Sequence, residues 1–338
     1  MDKQTINRAL RDFLNQRVLI AQKLDPVYGD LLQSIQGLVL RGGKRLRPRL
    51  VQLAYEGYGG QAAQNILPVA LSQELLHAAL LIHDDIIDRD DQRYGGPNIS
   101  GHYRKQFGQS LPPGEAEHFA TSWALLAGDI CFSLANELLL SAQLDSQLTL
   151  QASQLLQTTL FTVIGGQVMD VQASLHKQLL NKRQVKHIAH YKTAIYSLQT
   201  PLQLGALYAG ATAQFPAIER FASSLGLAFQ LRNDLQALVR HDLSDLREGK
   251  QTFIVAAAFA EATQAERKTL QLLGNPQLTQ AQAQTLLKLF ETSGAIAATE
   301  AEITAQFNRA LAQLPKLSLA TTQAAELERL AREVIGPT

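Results

Sequence analysis

The sequence has little of what would tie it to an oxidising compartment or to a highly charged partner. It contains one cysteine, Cys131, in 338 residues, so no disulfide can form within the chain, and a reducing compartment is favoured. The formal net charge of +1 excludes a strong field toward nucleic acid or an anionic membrane surface. Charged residues make up 18% of the chain, below the usual proportion of about a quarter. We therefore expect much helix surface to be buried in a dimer interface or around an apolar cavity.

Long apolar runs are also missing from the sequence. No stretch reaches the roughly 18 consecutive apolar residues of a transmembrane helix. The N-terminal segment 1–18 is polar and amphipathic and lacks the apolar core of a signal peptide. These patterns predict a soluble, cytoplasmic protein with no transmembrane segment and no nucleic-acid partner.

The hydrophobic pattern is helical. Apolar residues recur at three- and four-residue spacing, whereas the alternating pattern of strands is scarce. The periodic segments are 39–54, 67–87, 121–140, 153–175 and 221–239. A longer polar segment rich in glycine and proline, 92–117, predicts a loop or lid. Since there is no fixed repeat and no long linker, we predict one all-α domain over residues 1–338, with a helical tail at about 275–338.

Three acids, Asp84, Asp85 and Asp88, end one of the apolar helical segments. Spacings of three and four residues bring side chains to neighbouring positions on a helix. Carboxylates crowded at a helix C-terminus repel one another and the helix dipole, so a cation is expected beside them. Magnesium commonly joins one or two carboxylates to substrate phosphates. The alternative is a solvated acidic helix end that continues through Asp90 and Asp91.

Five cations surround two glycines in the segment 41–49, here called the basic turn. The glycines permit a sharp turn before a new helix. Cations together with free amides at a helix start can bind a phosphate. A nucleic-acid patch and a plain solvated turn are the alternatives, and the near-zero net charge argues against the first. Together, the basic turn and the acidic cluster indicate a diphosphate site.

Several motifs, in their order along the chain, resemble those of the trans-isoprenyl diphosphate synthases, also called polyprenyl synthetases. The matching motifs are GGKRLRP at 42–48, ELLHAALLIHDDIID at 74–88, LAGD at 126–129, GGQ with Asp170 at 165–170, YKT at 191–193, FQ at 229–230 and DLREGK at 245–250. The resemblance covers roughly residues 25–300 and is to the geranylgeranyl or long-chain polyprenyl type. It implies one helical bundle around a deep central cavity and a homodimer, with a heteromer as the alternative.

Carried over position by position, the resemblance implies roles for individual residues. Lys44, Arg47 and His77 would bind the diphosphate of isopentenyl diphosphate. Asp84, Asp85, Asp88 and Asp234 would bind two or three magnesium ions. Arg93, Lys192, Thr193, Gln230 and Lys250 would contact the second substrate, an allylic diphosphate. Asp84, Asp85, Asp88 and Lys192 are the catalytic residues that it predicts.

The reaction that the resemblance implies lengthens the allylic substrate by five carbons. The allylic diphosphate ionises as metals and cations take up the charge of its leaving group. The double bond of isopentenyl diphosphate then attacks the allylic cation, and a proton is lost to the released diphosphate. In the family, the residue five positions before the first acidic motif limits product length. Here it is Ala79, whose small side chain predicts a product of twenty carbons or more.

Two parts of the sequence depart from the family pattern. The second acidic motif, normally DDxxD, reads NDLQA at 233–237, and Tyr94 replaces the second arginine of a tandem pair. Three functions therefore stay open: a chain-elongating synthase with a weakened third metal site, a terpene-synthase-like enzyme, and a non-catalytic or regulatory subunit of a heteromeric synthase. The second depends on Asn233-Asp234 and lacks the expected serine at Ala237 and glutamate at His241.

Overall fold

The computed structural model describes residues 2–175, 179–239 and 244–336, and His241 lies outside them. These residues are almost entirely helical, which confirms the all-α prediction. The β structure within the described ranges is one two-stranded hairpin. The described residues form two compact units, Met1–Ser153 with Leu207–Ala209, and Gln154–Ala206 with Gly210–Thr338. The single domain and its central cavity stay predictions.

The first unit is built around helix α4. Its elements are α1 (Lys3–Leu24), α2 (Pro26–Arg41), α3 (Leu46–Gly57), α4 (Leu67–Ile87), β1 (Gln92–Arg93), β2 (Gly96–Pro97), α5 (Ile99–Phe107), α6 (Pro113–Leu140) and the start of α7 (Ser146–Leu175). Helix α4 packs most extensively against α6 and then against α3. It is apolar around most of its circumference, as expected of a central helix, and its residues from Val69 to Leu76 are all buried.

The second unit is centred on helix α10. Its elements are the rest of α7, α8 (Lys182–Ala189), a π-helix (His190–Gln199), α9 (Thr200–Tyr208), α10 (Phe215–Val239), α11 (Ser244–Glu248), α12 (Phe253–Glu261), α13 (Gln264–Leu270), α14 (Gln280–Thr292), α15 (Ala295–Gln313) and α16 (Thr321–Ile335). Helix α10 packs mainly against α15 and the π-helix. The segment predicted as a tail therefore supplies α15, a main support of α10.

Two segments differ from the sequence predictions. The periodic segment 39–54 is divided by the basic turn, because Gly43 and Arg45 adopt positive φ and the helix cannot continue through them. The segment 92–117 is not a long loop. It contains the β1–β2 hairpin, helix α5 and the start of α6, so its polarity reflects short connections and exposed helix faces.

Helix α6 is long and apolar enough to cross a membrane by length and composition alone. This finding is weak evidence for a membrane span, since the core helices of soluble proteins pass the same test. In its most apolar window 44% of the residues are buried within the protein, and the helix packs along α4 and α5. Those contacts cover part of its apolar surface.

Candidate active site

The basic turn is held in place by Arg45, one of its five cations, to which the sequence assigned no individual role. Its guanidinium is buried and donates to Glu74 Oε1 at 2.6 Å, to Asn7 Oδ1 at 2.7 Å and to the Val39 carbonyl at 2.6 Å. Removing one partner of such a buried pair costs about 3–5 kcal/mol, because the other charge is left without compensation. Arg45 therefore positions the turn instead of meeting substrate.

Lys44 and Arg47, the cations predicted to bind isopentenyl diphosphate, follow this anchored turn. Lys44 is exposed, whereas Arg47 is buried in the first turn of α3. Helix α3 starts without a hydrogen bond from a capping side chain, so its N-terminus has the polarity that favours an anion. The turn thus combines an exposed ammonium with a helix N-terminus.

His77 lies on α4 near these cations. Burial lowers the pKa of His77 well below 6.5, and the nearby Arg47, Arg93 and Arg45 lower it further. The imidazole is therefore neutral at physiological pH. It can hydrogen-bond to a phosphate oxygen as a donor from one ring nitrogen, but it adds no positive charge.

The acidic end of α4 is shaped by an ion pair between Asp85 and Arg93. Asp85 Oδ1 accepts from Nε of Arg93 at 2.9 Å and also from Nη2, while that Nη2 lies 3.3 Å from Asp90 Oδ2. Burial raises the pKa of Asp85 to about 6, against the opposing effect of Arg93. Although burial alone would lower it, the pKa of Arg93 is raised because Asp85 binds its charged form. These ion pairs hold the guanidinium of Arg93 against the acidic end of α4.

The other two acids of this cluster have different surroundings. Asp84 is half-buried in the last turn of α4, and Asp88 is 8% exposed and caps the helix. The preceding His83 packs against α6, where its Nε2 lies 3.2 Å from the Leu125 carbonyl oxygen. A methyl group on Gly128 would lie 2.1 Å from this nitrogen. The glycine of the LAGD motif therefore makes room for the residue that precedes the acids.

The acidic cluster fits magnesium through its donor chemistry. Asp85 Oδ2 is buried and makes no hydrogen bond, so one oxygen of the carboxylate that Arg93 binds still lacks a donor or a cation in the protein alone. Within the described residues no group of three or more acidic, histidine or cysteine side chains is already arranged to hold a metal. Magnesium takes one or two carboxylates and completes its coordination with substrate phosphates and water.

In the second unit the predicted residues meet around the π-helix. Lys192 Nζ lies 2.7 Å from Asp170 Oδ2 of α7. Thr193 Oγ1 donates to Gln230 Oε1 at 2.8 Å, and Gln230 Nε2 donates to Asp234 Oδ1 at 2.7 Å. Thr193, Gln230 and Asp234 thus form one hydrogen-bonded chain. Departures from α-helical geometry of this kind are frequent at functional sites.

Two glycines allow neighbouring helices to approach the π-helix closely. A methyl group on Gly166 of α7 would lie 2.6 Å from the backbone nitrogen of Lys192, and one on Gly226 of α10 would lie 2.3 Å from Cβ of Ala194. The second glycine of the GGQ motif therefore lets α7 approach the backbone of Lys192. The same approach brings Asp170, one turn later on α7, to its ammonium group.

Asp234 and Lys250 complete the predicted residues of this unit. Burial raises the pKa of Asp234 to about 7, with smaller contributions from Asp245 and Asp170. Lys250 Nζ lies 2.8 Å from Asp245 Oδ1 and 3.4 Å from Glu248 Oε2. Asp234 therefore lies among both acids and lysines, and burial is the main cause that favours its neutral form.

Sequence reasoning missed the supporting residues more than the site residues. Asp170 and Asp245 lie in quoted motifs, but neither was assigned the role of counter-ion to a predicted cation. The buried partner of Glu74 could have been predicted, because a carboxylate within an apolar helix is rarely buried unless it is paired. That partner, Arg45, belongs to the motif that was assigned to phosphate.

These features define an all-α protein whose lysines are suited to bind diphosphate and whose carboxylates are suited to bind magnesium. Residues 29–290 match the polyprenyl synthetase family, and the chain belongs to that family. It is 31% identical to the geranylgeranyl diphosphate synthase of Methanosarcina mazei over 70% of each chain. It is 29% identical to the farnesyl diphosphate synthase of Micrococcus luteus over 75% of this chain and 84% of that relative.

A solved structure is similar along almost the whole chain. It is the geranylgeranyl pyrophosphate synthase of Corynebacterium glutamicum, complexed with isoprenyl diphosphate and magnesium. The TM-score is 0.90 at 27% identity, with 99% of each chain covered. The fold is thus that of the isoprenoid synthases, and the protein is an enzyme of the trans-prenyltransferase class.

Proposed function

We propose that this enzyme is a magnesium-dependent prenyltransferase that condenses isopentenyl diphosphate with an allylic diphosphate and makes a product of twenty carbons or more. The observation that carries the proposal is that the first unit contains both an anchored basic turn and an acidic helix end with a buried carboxylate oxygen that makes no hydrogen bond. Relatives named as geranylgeranyl and farnesyl diphosphate synthases support the substrate class.

In this proposal each group of residues has one task. Lys44, Arg47 and neutral His77 bind isopentenyl diphosphate. Arg93 keeps Asp85 in place and contributes charge for the allylic diphosphate. Asp84, Asp85, Asp88 and Asp234 would hold magnesium, which supplies positive charge to the leaving diphosphate when bound.

Lys192 and Lys250, each beside a carboxylate, add positive charge for the allylic diphosphate, and Thr193 and Gln230 orient it by hydrogen bonding. The allylic carbon–oxygen bond breaks and the electron pair leaves with diphosphate. The alkene of isopentenyl diphosphate forms the new carbon–carbon bond, and the released diphosphate accepts the proton. No side-chain nucleophile is required.

Turnover with magnesium, labelled isopentenyl diphosphate and a short allylic diphosphate tests the proposal directly. Elongated prenyl diphosphate is the expected product. A hydrocarbon or alcohol formed without isopentenyl diphosphate would instead indicate a terpene-synthase-like enzyme. Turnover that appears only when a partner chain is added would indicate a regulatory subunit.

Ala79 is the proposed limit on product length. It is fully buried on α4, five residues before Asp84. Ala79→Phe is expected to give shorter products than wild type, because the ring fills space that the growing chain would occupy. Chromatography of dephosphorylated products measures this, with Ala79→Leu as an intermediate case. Identical product lengths in all three enzymes would place the limit elsewhere.

We also propose that the enzyme is a homodimer and that α7 provides its interface. Helix α7 exposes a stripe of large apolar side chains at alternating spacings of three and four residues. The stripe consists of Phe161 (83% exposed), Ile164 (53%), Val168 (59%), Val171 (40%) and Leu175 (73%). This heptad-like spacing suits the same helix of a second copy, since a twofold interface pairs one surface with itself.

Val168→Glu should convert a wild-type dimer to a monomer, because it places a charge in the middle of the stripe. Light scattering after size-exclusion chromatography measures the mass of each variant. Gln151→Glu, on an exposed position of α7 outside the stripe, adds the same charge and should stay dimeric. A monomeric wild type, or a dimeric Val168→Glu, would contradict the proposal.

A further inference from the structure

The ring of Tyr94 lies directly on the backbone of the basic turn. A methyl group added to Gly42 would lie 2.4 Å from Cε2 and 2.8 Å from Cζ of this ring, far inside ordinary contact distance. The backbone of Gly42 has φ −85° and ψ 155°, which any residue can adopt. The backbone conformation therefore does not require glycine here, and the ring of Tyr94 fills the space that the missing side chain leaves.

A second contact joins the same two segments. Arg41 Nη2 donates to the Pro97 carbonyl at 2.7 Å, and a methyl group on Gly96 would lie 2.3 Å from Arg41 Nη1. The β1–β2 hairpin and the basic turn are thus in contact at both ends of the short hairpin loop.

The hairpin and the basic turn are also tied separately to α4. Arg93 of the hairpin binds Asp85, and Arg45 of the turn binds Glu74. These two anchors on α4 are 11 residues apart, about 16 Å along the helix axis. The contact of Tyr94 links the two segments directly and closes a ring of contacts between the cations and the acids.

Tyr94 makes this contact although its own backbone conformation is strained. Arg93 and Gly96 are cross-strand partners, so Tyr94 and Gly95 form a two-residue hairpin loop, with φ of 55° and 74°. Both positive values are typical of a type I′ turn, whose first position favours asparagine or glycine. A bulky aromatic side chain in the left-handed region is strained.

We propose that Tyr94 is a positioning residue: its ring on Gly42 fixes the basic turn relative to the hairpin that carries Arg93, so that isopentenyl diphosphate is held correctly for attack. The inference rests on the proposed function, which assigns that substrate to the basic turn. At this position the family's arginine would supply a charge. Tyr94 instead supplies a ring that packs in the space left by Gly42.

A double-mutant cycle with Tyr94→Asn and Gly42→Ala tests the inference. Asparagine suits the turn, so the hairpin is retained while the ring is removed. Gly42→Ala in the wild type should lower kcat/KM for isopentenyl diphosphate by about tenfold to a hundredfold, the range expected of a displaced substrate. In the Tyr94→Asn background, Gly42→Ala should lower this kcat/KM by less than about twofold, since no ring opposes the methyl group. Tyr94→Asn alone should raise KM for isopentenyl diphosphate more than KM for the allylic substrate.

Gly37→Ala is the matched control, because nothing lies within 4 Å of a methyl group at that position, and it should leave kinetics unchanged. Melting temperatures of all variants provide a readout independent of turnover. If Gly42→Ala changes kcat/KM and the melting temperature equally in the wild type and in Tyr94→Asn, the proposed contact between Tyr94 and Gly42 is wrong. Coupling in melting without coupling in kinetics overturns the positioning role. If the wild type does not elongate, the proposed function fails, while melting still reports on the contact.

Discussion

Replacing Asp84 with alanine should abolish turnover, lowering kcat by about a thousandfold or more, as expected when the charge that offsets a leaving group is lost. Asp84 stands in the last turn of α4, whereas its neighbour Asp85 already gives one carboxylate oxygen to Arg93. Asp85 alone therefore cannot replace Asp84 as a ligand. Steady-state kinetics over a range of magnesium concentrations measure the loss.

Two variants make this result specific. Asp84→Asn keeps the shape of the side chain and should also be nearly inactive, since a neutral amide is a poorer magnesium ligand. Asp12→Asn removes one carboxylate from an exposed position of α1 and should behave as wild type. Activity of Asp84→Ala close to that of wild type, with an unchanged melting temperature, would rule out the proposed metal site.

Asp234→Ala should lower kcat less than Asp84→Ala does. The second acidic motif has asparagine and alanine at the positions of its other two acids. Asp234 is also hydrogen-bonded to Gln230, and burial raises its pKa to about 7. We therefore expect the acidic end of α4 to contribute more to metal binding than Asp234 does.

Sequence reasoning was most successful where one helix carries the whole pattern. Spacing alone predicted α4 and the acids at its end, because neighbours three and four residues apart are fixed by helix geometry. It was least successful at 92–117, where short elements leave too few residues for a periodic signal. The identity of the fold was predictable because motifs over most of the chain agreed with one family.

The supporting contacts could not be predicted from spacing. Arg45 and Glu74 are 29 residues apart, and their pairing depends on how the turn folds back on α4. The π-helix leaves no periodic signature in so short a segment, although it determines where Lys192 points. Tyr94 looked like the loss of a cation because its contact with Gly42 exists only after the hairpin has formed.

The glycine pair at 165 and 166 should respond in opposite ways to alanine. At Gly166 the added methyl group would meet backbone atoms of Tyr191 and Lys192 at 2.8 and 2.6 Å, and backbone cannot rotate away. Overpacking of this kind costs about 1–3 kcal/mol or more. It should also move the π-helix and so separate Lys192 from Asp170. Gly166→Ala is therefore expected to lower both the free energy of unfolding and kcat.

At Gly165 nothing lies within 4 Å of an added methyl group. Gly165→Ala should therefore retain activity and gain up to about 1 kcal/mol, the difference in helix propensity between alanine and glycine. Urea unfolding and kcat, measured side by side, separate the two cases. Equal behaviour of the two variants would mean that α7 does not approach Lys192 this closely. Both positions gain the same helix propensity from alanine, so the difference in sign between them comes from the backbone contacts at Gly166.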